Sequence, residues 1–214
     1  MARRLRGVVA LFKVGSQLYT AEGPQAIKKL AGLGFEIFLD LKFHDIPNTV
    51  AGAVAAAAEL PGVAILTLHS SGGLTMMRAA REVVAGRKAR PALLGVTLLT
   101  SLDSRDLRRV GMVGTPTSRV VALAQLAKQA GMDGVVASAH EAKAIRHACG
   151  SKFLIVVPGV RPAGAGAGDQ ARVATPAEAI RAGANYIVVG RPIIAARDPR
   201  QAALAIEKET ESAG

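Results

Sequence analysis

Tryptophan is absent from this 214-residue sequence, only 3% of its residues are aromatic, and Cys149 is its one cysteine. With so few aromatic rings, the core has to be assembled from Ala, Val, Leu and Ile, as where helices pack closely on a parallel sheet. A lone cysteine excludes an intrachain disulfide and fits a reducing compartment. Long hydrophobic runs are missing too. The longest uncharged stretch, Leu60 to Met77, contains His69, two serines and Gly72-Gly73, so it reads as buried strand plus turn rather than a membrane span. Met1-Ala2-Arg3-Arg4 is basic, but no apolar segment ending at a small-residue cleavage site follows it. The expectation is a soluble, cytoplasmic protein. Acidic residues are the scarcer charge, 16 against 27 Lys and Arg, for a net charge of +11. That imbalance is open to three readings: an anionic substrate, a nucleic acid, or a merely basic surface.

What is present is a rhythm of short apolar runs. Ala10–Gly15, Phe35–Leu41, Val63–His69, Ala92–Leu99, Gly134–Ser138, Phe153–Pro158 and Asn185–Gly190 are near-continuous in Val, Leu and Ile, as strands buried on both faces require. Between them, Pro24–Leu33, Thr49–Glu59, Leu74–Val84, Ser118–Ala130, Glu141–Cys149 and Pro176–Ala182 read as helices. This alternation predicts parallel β-α-β units within one domain spanning residues 1–214, without a linker or composition break. The one biased stretch, Gly164 to Gly168, lies between the last two strand candidates.

Seven strands suit a doubly wound sheet, whereas a (β/α)8 barrel needs eight. The polar residues decide for the barrel. Lys13, Asp40 with Lys42, His69, Thr100, Ser138 and Arg191 stand at or just past the C-terminal tips of many candidates. A ring of functional groups at those tips is a barrel's layout, while an open sheet concentrates them at one switch point. The expected fold is therefore a TIM-type barrel with seven recognisable strands and its first β-α element lacking. An equivalent first strand would then fall before Met1, leaving Ala10–Gly15 and Asn185–Gly190 with unpaired edges.

The segment Phe38-Leu-Asp40-Leu-Lys42-Phe-His44-Asp45-Ile-Pro-Asn-Thr49 carries the most chemistry. Asp40 and Lys42 interrupt an apolar strand two residues apart, which puts both side chains on one face, toward the barrel mouth. Asp45 lies on the loop beyond; the plain alternative is a solvated turn with Asn48 or Thr49 capping the next helix. Lys13 stands inside Ala10-Leu-Phe-Lys13-Val-Gly15, where a lysine needs a partner unless it snorkels from the strand end. One β-α-β unit separates it from Asp40, so their tips are neighbours and a Lys–Asp–Lys–Asp cluster follows. Arg161 in Pro158-Gly-Val-Arg161-Pro and Arg191 in Val189-Gly190-Arg191-Pro close adjacent strands and suit an anion site. The glycines at 164, 166 and 168 do not open a helix straight from a strand, so a dinucleotide fingerprint is not indicated.

These residues also carry a resemblance. Asp40-Leu-Lys42-Phe-His44-Asp45-Ile-Pro-Asn-Thr49, Phe12-Lys13-Val-Gly15, Leu99-Thr100-Ser101 and Pro158-Gly-Val-Arg161-Pro…Asp169-Gln170…Val189-Gly190-Arg191 resemble the orotidine 5′-phosphate decarboxylase family, in order from Phe12 to Pro199. The resemblance implies a dimeric (β/α)8 barrel that converts orotidine monophosphate to uridine monophosphate without metal or cofactor. It implies Lys42 as proton donor, Asp40 against the departing carboxylate, Lys13 completing the array and Asp45 crossing into the partner subunit's site. It places Thr49 at the ribose, Thr100 at the pyrimidine, and Arg161, Gln170, Gly190 and Arg191 at the phosphate. The family also opens with a strand whose aspartate contacts the ribose, and no counterpart precedes Met1. Three alternatives stand beside this reading: a magnesium-dependent sugar-phosphate lyase or synthase sharing Asp-x-Lys-x-x-Asp, an inactive barrel that only binds phosphorylated ligands, and a nucleic-acid-binding module. Against the last, the basic residues are scattered over many helices, with few aromatics to stack bases.

Overall fold

A computed structural model describes residues 1–162 and 174–213. Among the described residues seven parallel strands, β1 (Leu11–Gly15), β2 (Glu36–Phe43), β3 (Val63–His69), β4 (Ala92–Val96), β5 (Gly134–Val136), β6 (Leu154–Pro158) and β7 (Tyr186–Val188), pair in strict chain order. They form a nearly closed TIM-type barrel. Every expected strand is present, several of them one to three residues shorter than the apolar runs that encode them. Among the described residues β1 and β7 lie at the two ends of the strand order without a ladder between them. Apolar side chains bridge that seam instead: Phe12, Ile187 and Val189 share a cluster with Leu5, Ile193, Ala203 and Ile206.

The helices are α1 (Ser16–Glu22), α2 (Pro24–Ala31), α3 (Pro47–Ala58), α4 (Gly73–Glu82), α5 (Ser104–Arg109), α6 (Pro116–Gln129), α7 (Ala139–Cys149), α8 (Pro176–Arg181), α9 (Arg191–Ile194) and α10 (Pro199–Glu211). Prolines open α2, α3, α6, α8 and α10, where a missing N–H costs nothing. Thr175 and Glu178 form a capping box at α8, and Asp103 with Asp106 forms another at α5.

Strand alternation sorts the side chains. Ile37, Leu39, Leu66, Leu68, Leu93, Val135, Ile155 and Val157 point outward into the large core shared with the helices. Phe38, Ile65, Leu94, Val96, Val136 and Val156 fill the barrel interior. The same alternation carries Asp40 on β2 and Thr67 on β3 inward, one step above Phe38 and Ile65.

Two polar staples hold the N-terminal ends of the strands, away from the mouth. Arg90 grips Asp133 through two nitrogens at 2.8 and 2.7 Å, and Asp133 Oδ2 also accepts the Leu93 amide at 2.8 Å. Arg146 donates to the carbonyls of Gly150, Ser151, Phe153 and Gly183 and to Asn185 Oδ1, tying the loops before β6 and β7.

Some expectations need correction. Neither Asn48 nor Thr49 caps the following helix: Ile46 holds the cap position and Pro47 is the first helical residue, so α3 starts two residues early. Helices α1, α5, α9 and α10 went unread. The first three are too short to display an apolar stripe, and α10 buries only Pro199, Ala203 and Ile206.

Candidate active site

The charge cluster is built by three strand ends and one irregularity. β2 and β3 shift register once between Ile37 (opposite Val63) and Phe38 (opposite Ile65), run on to Leu39 opposite Leu66, and then pair next at Phe43 opposite Leu68. Two extra residues on β2 are taken up as a bulge. Lys42 lies in it with φ of +54°, the one non-glycine residue with a positive φ among those described. Simple alternation is therefore only part of why Lys42 and Asp40 meet; the bulge re-aims the lysine.

Its ammonium lies 2.8 Å from Asp40 Oδ2, and that of Lys13, from β1, lies 3.3 Å from the same oxygen. The Asp40 side chain is only 9% exposed, whereas those of Lys42 and Lys13 are 33% and 35% exposed. The anion is thus sunk beneath two cations that keep access to the mouth. Burial alone would raise the Asp40 carboxyl pKa, but the Lys42 ammonium and its hydrogen bond, then Lys13 and the Thr67 hydroxyl, outweigh it. They hold the group below its ordinary value. Two ammoniums against one carboxylate leave the trio one positive charge in excess, suited to an anionic ligand.

Asp40 Oδ1 is occupied separately. Thr67 on β3, fully buried, donates its hydroxyl to Oδ1 at 2.9 Å and accepts the Lys42 amide at 3.0 Å. His69, two residues further along β3, stacks obliquely on His44 with ring centroids 5.2 Å apart. Burial, then the neighbouring His44 and Lys42, lowers the His69 pKa, opposed by Asp40.

Asp45 is exposed and stands apart from the trio: its Oδ1 accepts the Ile46 amide at 2.6 Å. With Lys42, His44 and Thr49 it lines a cleft of about 300 Å³ at the mouth. Thr100, half-buried, lies in the loop between β4 and α5. Arg161, 8% exposed, follows β6, and its amide donates to the Ala174 carbonyl at 3.0 Å. Gly190 caps α9 and the exposed Arg191 is its first residue, three positions beyond the end of β7. Gln170 lies outside the described residues. A larger hollow of about 460 Å³, lined by Lys128, Asp133, Cys149 and Lys152, lies at the opposite end of the barrel, remote from the cluster.

Sequence reasoning overlooked Thr67 and Gly15. Thr67 shares the strand and the inward face of His69, which was the available signal. Gly15 closes β1 opposite Asp40, and a Cβ there would meet the Lys13 ammonium; no pattern in one sequence marks such a vacancy.

Residues 1–206 match the model of the family described as orotidine 5′-phosphate decarboxylase / HUMPS. A relative from Nitrosococcus oceani named orotidine 5′-phosphate decarboxylase is 53% identical over 209 residues, covering 98% of this chain and 90% of its own length. One of the same name from Anaeromyxobacter dehalogenans is 56% identical over 205 residues, covering 96% and 88%. The crystal structure of orotidine 5′-phosphate decarboxylase from Lactobacillus acidophilus superposes with a TM-score of 0.80 at 42% identity, covering 92% of this chain and 85% of that one. With its barrel, its lysine–aspartate–lysine mouth and this span of likeness, the chain belongs to the orotidine 5′-phosphate decarboxylase / HUMPS family.

Proposed function

We propose that this protein decarboxylates orotidine 5′-phosphate to uridine 5′-phosphate for pyrimidine biosynthesis, with Lys42 as the proton donor. The observation that carries the reading is the pair of ammoniums on Asp40 Oδ2 at the open end of the barrel. Breaking the bond between ring carbon and carboxylate releases CO2 and leaves the electron pair on that carbon. A cation fixed in place before the charge develops stabilises it without reorganisation, which is where electrostatic catalysis is strongest. Lys42 then transfers an N–H proton to the carbanion, becoming neutral until it regains a proton from solvent. Asp40, held ionised, faces the departing carboxylate and weakens substrate relative to transition state. Lys13 keeps the carboxylate charged and positioned.

The remaining assignments are the ones the family resemblance implies. Arg161, Gln170, Gly190 and Arg191 hold the phosphate, Thr49 the ribose and Thr100 the pyrimidine. Asp45, exposed and apart from its own trio, serves the site of a second copy in a homodimer. The reading requires neither metal nor cofactor, and it treats the scattered basic side chains as solvated surface rather than a nucleic-acid footprint. A cytoplasmic location is part of this reading; among the described residues no helix is long and apolar enough to cross a membrane.

The test is incubation with orotidine 5′-phosphate in EDTA while following the loss of orotate absorbance. Turnover without metal supports the reading; turnover only after magnesium is added transfers the chain to the sugar-phosphate chemistry of the same superfamily. Mixing Asp45→Ala with Lys42→Ala chains regenerates intact sites if Asp45 crosses the dimer. Verified mixed dimers without activity return Asp45 to its own subunit.

A further inference from the structure

We propose that Thr67 is a positioning residue for the decarboxylase trio: its single hydroxyl both holds the bulged Lys42 backbone and locks the rotation of Asp40. This rests on the decarboxylase reading above, though one arm of its test does not.

The bulge sets the problem. Between Leu39 and Phe43 the ladder to β3 lapses, so the Lys42 amide has no strand carbonyl opposite it. A positive φ at a non-glycine residue stores strain and persists only where the surroundings over-determine it. Thr67 Oγ1 accepts that amide at 3.0 Å, supplying the missing ladder partner from a side chain.

The direction of the second bond then follows. An amide N–H can only donate, so the Thr67 oxygen accepts there and its one proton is free for Asp40 Oδ1, 2.9 Å away. Asp40 therefore divides its oxygens: Oδ1 to Thr67, Oδ2 to Lys42 and Lys13. Rotating the carboxylate would break bonds at both oxygens at once. Thr67 is completely buried, so water cannot stand in for its hydroxyl. One atom thus ties the backbone that bears the proton donor to the carboxylate that orients its ammonium. Valine in its place keeps the shape and leaves a buried amide and a carboxylate oxygen without a partner.

Thr67→Val, Thr67→Ser and wild type decide it through kcat, uridine 5′-phosphate affinity and hydrogen exchange of the Lys42 amide. Expected for Thr67→Val is a fall in kcat of about tenfold to hundredfold, from losing a hydrogen bond to a charged group, with product affinity changed less than about twofold. Thr67→Ser restores kcat to within about threefold, and the Lys42 amide exchanges at least about tenfold faster in Thr67→Val only. If Thr67→Val does not fold, Thr67→Ala is measured the same way. Unchanged kcat in the hydroxyl-less variant, a serine variant as impaired as the valine one, or unaltered Lys42 protection overturns the proposal. A wild type without turnover refutes the decarboxylase reading, and the exchange comparison still judges the brace by itself.

Discussion

Gly15 leaves room for the ammonium of Lys13: a Cβ on the glycine would stand 3.0 Å from Nζ. The atom in the way is the far end of a flexible side chain, so a methyl group there displaces the lysine more readily than the backbone. Gly15→Ala is expected to shift the melting temperature by no more than a few degrees, equivalent to under about 1 kcal/mol. It should nonetheless lower kcat several-fold, on the order of tenfold, because sub-ångström misplacement of a charged group is costly at a reacting centre. Calorimetry and steady-state kinetics on one preparation check both halves; a variant with wild-type kcat means Lys13 has another place to stand.

Lys42 stands on β2 and Arg191 opens α9, and the proposed function divides the work between them. Lys42→Ala should reduce turnover below detection while uridine 5′-phosphate still binds, since the proposed phosphate grip is elsewhere. Arg191→Ala should weaken nucleoside monophosphates by about tenfold to hundredfold and nucleosides hardly at all, the cost of a lost charge-assisted contact. Isothermal titration with uridine and its 5′-phosphate separates the two effects. Equal loss of product affinity in both variants would refute the division.

The Arg90–Asp133 staple makes an acid-sensitive contribution to stability. Burial pushes the Asp133 carboxyl up, but the Arg90 fork, the Leu93 amide and the charges of Arg90 and Arg81 outweigh it, leaving the pKa below its ordinary value. A carboxylate lowered in the folded state stabilises fully above its unfolded pKa and loses that contribution as pH falls through the folded one. Asp133→Ala should therefore cost about 1–3 kcal/mol at neutral pH, and the gap to wild type should close below about pH 4. Denaturant melts at several pH values measure it; a gap independent of pH would assign the loss to packing instead.

Ser70 carries a buried hydroxyl with no hydrogen-bond partner among the described residues. It presses on β4, where a Cβ on Gly95 would fall 2.3 Å from its oxygen. Removing an unsatisfied buried group relieves a desolvation cost, so Ser70→Ala should be neutral to about 1 kcal/mol stabilising. Gly95→Ala should cost about 1–3 kcal/mol by overpacking. Thermal melts showing Ser70→Ala clearly less stable than wild type would mean its hydroxyl is satisfied after all.

How much of this was legible in the sequence depends on the length scale of the cause. Strands buried on both faces announce themselves as apolar runs, which is why all seven appear where Val, Leu and Ile cluster. Lys13, Asp40 and Lys42 were visible as charges inside such runs, and their meeting followed from parallel neighbours in chain order. The bulge at Lys42 was not, because it arises from the offset between β2 and β3, a relation between two segments. Thr67 was hidden for the same reason: a threonine in a strand is ordinary until its proton and lone pairs have addresses. Short α5 and α9 lacked the length for a stripe, although the Asp103–Asp106 box stood as a local mark of the former.

The strict agreement of strand order with chain order has a kinetic consequence. Each strand's partner is supplied by the preceding or following unit, so the sheet can grow outward from any starting pair with only local loops to close. Lys13 comes from the first strand and Arg191 opens the helix after the last, and the two ends of the sheet meet only when it has curled round and the seam cluster of Phe12 with Ile187 and Val189 has formed. The Lys13–Asp40–Lys42 trio needs no more than β1 paired with β2, whereas a site that draws on both ends of the sheet is complete only once that seam has closed, so helical signal is expected to return ahead of catalysis during refolding.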